Sequence, residues 1–343
     1  MKQLIKIIPL AALFSLSLIG HAADYPKVIR FVTTGSSYSN GIPGPAIVNV
    51  IDTQNLLKEE FKKEGIKIEE ILVKNAGPGI NETIAANLAD FGSCGDFPLL
   101  IGKAGGLRTK YIIGTERGYN TYVIARPELH ITSVQQLKGR KVAYLKGTNG
   151  HLNFINVLES HGLTEKDIKG VNLSGSDGQA ALAAGSVDAI SSGYDRPLVD
   201  QGVAVEVYNT RHAPLNSKPR SGLVVTEEFA QKYPDITKRV VKVFIKAAYW
   251  ASQDKNREAI TQLQVKAGNK YKYIIQEYDG LTNKQKFNPL ITQDDVDGYK
   301  KVLAFADKRK LIRKTFDIEK WVDKSYSEAA VKELGLANFW ATK

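Results

Sequence analysis

Short apolar runs alternate with stretches of helical periodicity along most of the chain. Residues 28–33 have the pattern of a buried strand, and the apolar positions of 47–63 then repeat at helical spacing. Further strand patterns lie at 66–73, 89–92, 111–114 and 121–125, with helical patterns at 81–88 and 97–103 between them. A β-α-β-α order of this kind predicts an α/β fold with a largely parallel sheet.

A second unit with the same alternation begins near Asn120. Its strand patterns lie at 141–145, 169–173, 187–190 and 203–208, and its helical patterns at 150–160, 177–184 and 195–201. Pro214, Pro219 and Gly222 then mark an irregular return to a strand at 223–225. Long helical patterns follow at 226–233, 236–252, 256–267, 293–308 and 318–331.

This order predicts one lobe inserted into another. Residues 23–118 and 212–343 would form the first lobe, and residues 119–211 the second. The chain would then cross twice between the lobes, which predicts a hinge and an interlobe cleft able to close over a small ligand.

The first 22 residues have the pattern of a secretory signal peptide. Lys2 and Lys6 precede an apolar stretch at 7–19, and small residues follow around a cleavage site near Ala22. An uncleaved N-terminal anchor is the alternative, although the apolar stretch is short for a membrane span. Cys94 is the single cysteine, so no intramolecular disulfide forms, and no cysteine for lipid attachment follows the apolar stretch. We therefore expect a soluble protein exported to a Gram-negative periplasm, with no insertion into the membrane.

The charge of the chain is basic. The net charge is +11, and removing Lys2 and Lys6 leaves +9, since 11 − 2 = 9 and residues 1–22 contain no acid. A basic protein attracts anions over some distance. Lysines mostly stand beside Glu or Asp, as in residues 58–64, and no basic stripe is interleaved with aromatic residues. Nucleic acid is therefore not a predicted partner.

Three loops between a strand and a helix carry small polar residues suited to an anion. Helix N-termini present unpaired N–H groups and a positive dipole end, which stabilise an anion without a charged side chain. For each loop, a turn with an ordinary N-cap is the alternative. The candidate ligand-binding residues are Gly35, Ser36 and Ser37 in the first loop, Ser93 and Cys94 in the second, and Gly147, Thr148 and Asn149 in the third.

Motifs of the common enzyme classes are absent from the sequence. It contains no His-Glu-x-x-His, no Gly-x-Ser-x-Gly and no Gly-Lys-Ser/Thr phosphate loop. Its five histidines form no evident metal cluster, and Cys94 has no obvious base beside it. We predict neither an enzyme nor a metal site nor a cofactor.

Four segments in register resemble a known protein family. They are 91–96 (FGSCGD), 133–149 (SVQQLKGRKVAYLKGTN), 182–189 (LAAGSVDA) and 227–234 (EEFAQKYP). They are similar to elements of the sulfonate, taurine and nitrate group of periplasmic binding proteins of ATP-driven (ABC) importers, which also includes binders of pyrimidine precursors. The resemblance implies a type 2 two-lobed fold, with a membrane permease and its ATPase as partners.

The sequence departs from the family pattern after the third of these segments. Many relatives carry Trp-Asp-Pro there, whereas this chain has Tyr194 in place of the Trp and Arg196 inserted before Pro197. Tyr194 is therefore a further candidate, as a ring in the cleft or as core packing.

Six other residues are weaker candidates for contact with the ligand. Asp177 is either a helix cap or the partner of a ligand amine. The two arginines are either charged donors to the ligand or residues of the surface or the hinge. The weaker candidates are Tyr38, Asn120, Tyr122, Asp177, Arg196 and Arg220.

Together these observations predict a monomeric periplasmic solute-binding protein. It would deliver a small, anionic, sulfonate-like or taurine-like ligand to an ABC importer by hinge closure. Nitrate, a pyrimidine precursor or an aromatic acid is the alternative ligand, and a periplasmic ligand sensor is the alternative role.

Overall fold

The computed structural model describes residues 25–35, 42–193 and 196–341. The predicted signal peptide and the candidates Ser36, Ser37, Tyr38 and Tyr194 lie outside these ranges. The strands are β1 (Val28–Thr34), β2 (Lys67–Val73), β3 (Phe91–Gly95), β4 (Thr109–Arg117), β5 (Tyr122–Ala125), β6 (Lys141–Tyr144), β7 (Lys169–Asn172), β8 (Ala189–Ser192), β9 (Val205–Asn209) and β10 (Arg220–Thr226).

Helices connect these strands and form most of the C-terminal part. The α-helices are α1 (Ala46–Thr53), α2 (Leu56–Glu60), α3 (Ala76–Ala85), α4 (Asp96–Ala104), α5 (Asn149–Ser160), α6 (Gly175–Ala183), α7 (Arg196–Asp200), α8 (Glu227–Lys232), α9 (Pro234–Ala251), α10 (Arg257–Lys266), α11 (Tyr271–Gln276), α12 (Asn283–Lys286), α13 (Gln293–Lys308), α14 (Ile318–Trp321) and α15 (Ser325–Glu333). Short 3₁₀ helices lie at Pro127–Leu129, Val134–Leu137, Glu165–Asp167, Leu215–Ser217 and Asp254–Asn256. Within the described ranges, no helix is both long and apolar enough to span a bilayer.

The described strands form two five-stranded sheets. The first has the order β2-β1-β3-β10-β4 and the second β7-β6-β8-β5-β9. In the first, β10 runs antiparallel to β3 and β4, whereas β1 pairs with β2 and β3 in parallel. In the second, β5 is antiparallel to β8 and β9, whereas β6 is parallel to β7 and β8. The predicted α/β two-lobed fold with largely parallel sheets is therefore confirmed.

The chain passes between the sheets along two neighbouring segments. The first runs from the end of β4 to β5, and the second from β9 to β10. The Thr121 N–H donates to Thr210 Oγ1 at 2.9 Å, and the Gly118 N–H donates to the carbonyl of Pro219 at 3.1 Å. Because the two crossings are bonded to each other, they lie where a hinge is expected. The lobe boundaries at 118/119 and 211/212 remain predictions.

Each sheet is covered by apolar helix faces. The largest core packs α1 and α9 on the first sheet, where Phe31 meets Phe244 with ring centroids 5.8 Å apart. The other face packs Tyr111 of β4 against Tyr299 and Trp321. Burying one such side chain stabilises the fold by roughly 1.5–3 kcal/mol, so these two faces hold the first lobe rigid behind the cleft.

Two predicted helices are each divided in the structure. The pattern at 47–63 forms α1 and α2, because Asn55 adopts a left-handed conformation with φ 52° between them. Asn tolerates this conformation better than most residues. The pattern at 318–331 forms α14 and α15, because Val322 leaves the helix to bridge Tyr111 of β4.

Candidate functional site

A cleft of about 380 Å³ lies between the two sheets. The first lobe contributes its walls from the ends of β1 and β3, from the starts of α1, α3 and α4, and from the C-terminal segment 264–286. The second lobe contributes the ends of β6 and β8 and the starts of α5, α6 and α7. The cleft therefore lies where parallel strands end and helices begin, which is the usual ligand site of α/β lobes.

Five helices of at least eight residues begin at this cleft in the described part of the chain. They are α1, α3 and α4 of the first lobe and α5 and α6 of the second. Their positive dipole ends converge from both sides, so the cleft favours negative charge.

Charged side chains of the lining also favour an anion. The described lining contains four cations, Lys74, Arg196, Lys270 and Lys286, and two carboxylates, Glu116 and Glu277, which leaves a net charge of +2 because 4 − 2 = 2. Long-range attraction and the local field of the helix ends therefore act in the same direction.

Side-chain oxygens already cap several of the helix starts. The Thr148 hydroxyl accepts from the N–H of His151 at 3.2 Å and donates to the carbonyl of Leu145 at 2.7 Å. Ser174 accepts from the N–H of Asp177 at 3.4 Å. Thr148 therefore acts as the N-cap of α5 while it also lines the cleft.

The third loop of the sequence prediction bridges the lobes. Asn149 Oδ1 accepts from the N–H of Phe97, which opens α4, at 3.0 Å. Its Nδ2 donates to the carbonyl of Arg220 at 2.7 Å. A Cβ at Gly95 would lie 2.5 Å from that Nδ2, so this approach of the lobes requires glycine. Asn149 therefore binds the first lobe in the arrangement seen here.

Arg196 makes a second bridge between the lobes. Its guanidinium donates to Glu277 Oε1 at 2.8 Å and to the carbonyl of Tyr273 at 2.9 Å. It also lies between the rings of Tyr122 and Tyr273, at 4.5 and 4.6 Å from their centroids. Asn120 and Tyr122 complete the partners of Glu277, with distances of 2.7 and 2.6 Å to its oxygens. Because Arg196 is buried in this contact, separating the lobes without hydrating its guanidinium would leave a charge without its partner.

The predicted site residues divide into two groups in the described ranges. Gly35, Cys94, Asn120, Thr148, Asn149 and Arg196 line the cleft. The remaining candidates within those ranges, Ser93, Tyr122, Gly147, Asp177 and Arg220, lie outside its lining.

The second group has structural contacts. Ser93 is fully buried in β3, and Gly147 donates its N–H to His151 Nδ1 at 3.2 Å. Asp177 is exposed in the first turn of α6, where Ser174 rather than Asp177 is the N-cap, and its carboxylate accepts from the Ser174 hydroxyl at 2.6 Å. Arg220 is buried in β10 and forms an ion pair with Asp295.

Residues that the sequence prediction did not include lie around the hinge side of the cleft. Glu116 is 3% exposed, and its carboxylate accepts from the N–H of Ile47 at 3.1 Å and from the Tyr119 hydroxyl at 2.8 Å. Burial and the Glu116 charge raise the pKa of Tyr278 above its ordinary value, so this phenol stays protonated. Lys286 lies near both tyrosine rings. No motif surrounds these positions, so the sequence offered no signal for them.

Cys94 and the acidic residues offer little chemistry. Burial, together with Asp96, raises the pKa of the Cys94 thiol far above its ordinary value, so the nucleophilic thiolate is disfavoured. Among the residues described, no three His, Cys, Asp or Glu side chains are grouped to hold a metal ion.

Two α/β lobes, two bonded crossings and a positive cleft between the lobes define the architecture of a two-lobed solute-binding protein. The chain belongs to the NMT1/THI5-like family, which matches residues 58–258. The predicted family resemblance is confirmed by a putative aliphatic sulfonates-binding protein of Bacillus subtilis (strain 168). That protein is 27% identical over 280 residues, which are 80% of this chain and 82% of the relative.

Solved structures support the same relationship. The putative periplasmic sulfonate-binding protein SsuA of a sulfonate ABC transporter from Methylobacillus flagellatus KT is 30% identical and has a TM-score of 0.77, covering 92% of this chain and 97% of its own. The desulfurization enzyme DSZB is 15% identical with a TM-score of 0.65, covering 90% of this chain and 100% of its own, and shares the fold alone.

Proposed function

We propose that this protein is a periplasmic solute-binding protein that captures a small organic anion of the sulfonate class. The convergence of five helix N-termini from both lobes on one cleft carries this proposal. A ligand held by N–H groups and cations of both lobes favours the closed arrangement, because some of those contacts exist only when the lobes meet.

The size of the cleft favours an organic anion over an inorganic one. Its volume is about 380 Å³, and pockets of about 300–1,000 Å³ are typical of drug-sized ligands. A planar ion of four atoms would leave most of this space to water. Tyr144, Leu173, Ile190 and Ile274 line the cleft and offer apolar surface for the body of a larger ligand.

Delivery to an importer is part of the same proposal. The signal-peptide pattern of residues 1–22 and the names of the relatives support export to the periplasm. The closed protein would dock as a monomer on an ABC permease whose ATPase drives uptake. Hinge motion would occur at the crossings near 118/119 and 211/212.

A binding role is favoured over catalysis by the chemistry of the cleft. Cys94, the single cysteine, is held as a buried thiol. Glu116 and Glu277 each accept several hydrogen bonds. Carboxylates engaged in this way are poorly placed to act as general bases. We therefore propose that the ligand leaves the cleft chemically unchanged.

Thermal shift and small-angle scattering test the proposal. The exported protein is titrated with ethanesulfonate, hexanesulfonate, benzenesulfonate, taurine, nitrate, benzoate and a pyrimidine. We expect a sulfonate to raise the melting temperature by several degrees, since it binds the folded state alone, and to reduce the radius of gyration. Stabilisation by nitrate alone would contradict an organic anion. Conversion of a bound sulfonate, followed by mass spectrometry, would contradict a binding role.

A further inference from the structure

Lys286 is a buried cation in the wall of the cleft. The residue ends α12, is 6% exposed and lines the cavity. Its Nζ lies 5.4 Å from the ring centroid of Tyr119 and 5.3 Å from that of Tyr278. Two aromatic rings and the cavity therefore surround the ammonium group.

The two carboxylates of the described cleft lining accept hydrogen bonds from residues other than Lys286. Glu116 receives the Ile47 N–H and the Tyr119 hydroxyl, and Glu277 receives Arg196, Tyr122 and Asn120. Among the described residues, no carboxylate lies within 4 Å of Lys286 Nζ, so Lys286 belongs to none of the ion pairs, unlike Arg196 and Lys270 of the same cleft.

An ammonium group that is largely desolvated at the wall of a cavity, with no carboxylate partner, is stabilised by an anion. Removing a charge from water is unfavourable unless the charge is paired. The faces of two tyrosine rings offset part of this cost. The rest of the desolvation cost is offset when an anion enters the cleft and pairs with Lys286. The closed protein should therefore bind a negatively charged ligand more tightly than a neutral one.

The start of α1 is less suited to hold the anion. Its first-turn N–H, from Ile47, already donates to Glu116 Oε1 at 3.1 Å. A ligand acid placed there would displace this bond and face a buried carboxylate. Lys286 approaches the ring of Tyr119, whereas Glu116 accepts from its hydroxyl, and no carboxylate of the described residues is paired with Lys286.

We propose that Lys286 is the specificity-determining residue that receives the acid group of the ligand, with Tyr119 and Tyr278 as the walls of this anion receptor. The ligand is then an organic anion whose acid group enters on the hinge side and whose apolar body extends along the cleft. This assignment rests on the proposed function. It places the binding site for the acid group of the ligand in the C-terminal segment of the first lobe.

The test compares charged and neutral probes on four proteins. Calorimetry measures the dissociation constants of benzenesulfonate and the neutral benzenesulfonamide for wild type, Lys286→Met, Lys286→Arg and Lys284→Met. Loss of a hydrogen-bonded charge predicts about 10- to 100-fold weaker benzenesulfonate binding by Lys286→Met. We expect Lys286→Arg to recover part of this loss, and benzenesulfonamide to bind wild type and Lys286→Met alike. The control Lys284→Met, at an exposed lysine of the same helix outside the cleft lining, should change affinity less than about threefold.

The outcomes separate this assignment from the proposed function. Wild-type affinity of Lys286→Met for benzenesulfonate would overturn the role of Lys286 and leave the binding function standing. An equal loss of benzenesulfonate and benzenesulfonamide, or a lower melting temperature of ligand-free Lys286→Met, would show a structural lysine and also overturn it. A wild-type protein that binds neither benzenesulfonate nor any other anion of the thermal-shift panel would contradict both proposals.

Discussion

At the cleft, the side-chain amide of Asn149 belongs to the second lobe but bonds to the backbone of the first. Its oxygen accepts from the N–H of Phe97 and its nitrogen donates to the carbonyl of Arg220. Both ends of the amide are therefore bonded to protein rather than to water in this arrangement of the lobes. The same contact leaves no room for a side chain at position 95, where the chain has glycine. A residue predicted to hold the ligand thus also holds the lobes together.

The substitution Asn149→Ala tests this role. It removes two hydrogen bonds that exist only in the closed arrangement, each contributing about 1 kcal/mol. We expect ligand affinity to fall by about 30-fold, with little change in the melting temperature of the ligand-free protein, measured by calorimetry and thermal unfolding. Gly150→Ala at the next position is the control, since a Cβ there would meet only Thr148 Oγ1 at 3.6 Å. Equal affinities of Asn149→Ala and wild type would exclude the bridge.

At the scale of elements, buried charges attach α13 to the strands under the cleft. Asp295 in the first turn of α13 accepts from Arg117 of β4 at 3.1 Å and forms an ion pair with Arg220 of β10. Burial acts to raise the pKa of Asp295, but the charges of Arg220 and Arg117 outweigh it, so this pKa lies below its ordinary value. The carboxylate therefore stabilises the attachment while it is ionised.

The direction of this shift predicts a loss of stability in acid. The contribution of Asp295 is present above its ordinary pKa of 3.8 and is lost as the pH falls through the lower value in the folded protein. Urea unfolding at a series of pH values should therefore show a falling free energy of unfolding from about pH 5 downward. Asp295→Asn should lower this free energy by about 3–5 kcal/mol at neutral pH, because it leaves buried arginines unpaired, and should flatten the acid dependence.

The control for this experiment lies on the same helix. Asp297 is 52% exposed and its contact with Lys300 is 3.6 Å long, so Asp297→Asn should change the free energy of unfolding by less than about 1 kcal/mol. If Asp295→Asn and wild type lose the same free energy of unfolding as the pH falls, other carboxylates are responsible for the loss of stability in acid.

At the scale of the whole molecule, two kinds of ion pair join the lobes. In the first pair, Arg196 is 8% exposed and Glu277 is 22% exposed, and the Arg196 guanidinium lies between two tyrosine rings. Lys272 and Asp200 form an exposed pair at 2.5 Å, and Arg309 pairs with Glu159 farther from the hinge. Buried geometry, rather than the number of pairs, decides how strongly each one favours closure.

We expect Arg196→Met to weaken closure strongly. It leaves the partly buried Glu277 without its cation, which costs about 1.5–3 kcal/mol in the closed form only and lowers ligand affinity by about 10- to 150-fold. Scattering should show an open protein at ligand concentrations that close the wild type. Lys272→Met is the matched control and should change affinity less than about fivefold. If Arg196→Met binds the ligand with wild-type affinity, the Arg196–Glu277 pair does not contribute to closure.

Local patterns were sufficient for much of this molecule. The alternation of strand and helix, the insertion of one lobe into the other and the family followed from residues close together in the chain. Thr148 and Asn149 were found because a helix start has a local signature. The same signature left capping and ligand contact as alternatives. The structure shows Thr148 as the N-cap of α5, whereas Asp177 lies in the first turn of α6 after the cap residue Ser174.

By itself, the sequence determined the order of the elements and the class of the protein, because hydrophobic period, caps and turn residues act over one or two turns of chain. Tertiary structure alone decided which distant side chains share the cleft. Glu277 directly follows the short helix α11 and Lys286 ends α12, and no motif surrounds either, yet folding brings them against Arg196 and Tyr119. Contacts between residues far apart in the chain leave no period in the sequence, so which charged groups share the cleft is visible only in the folded structure.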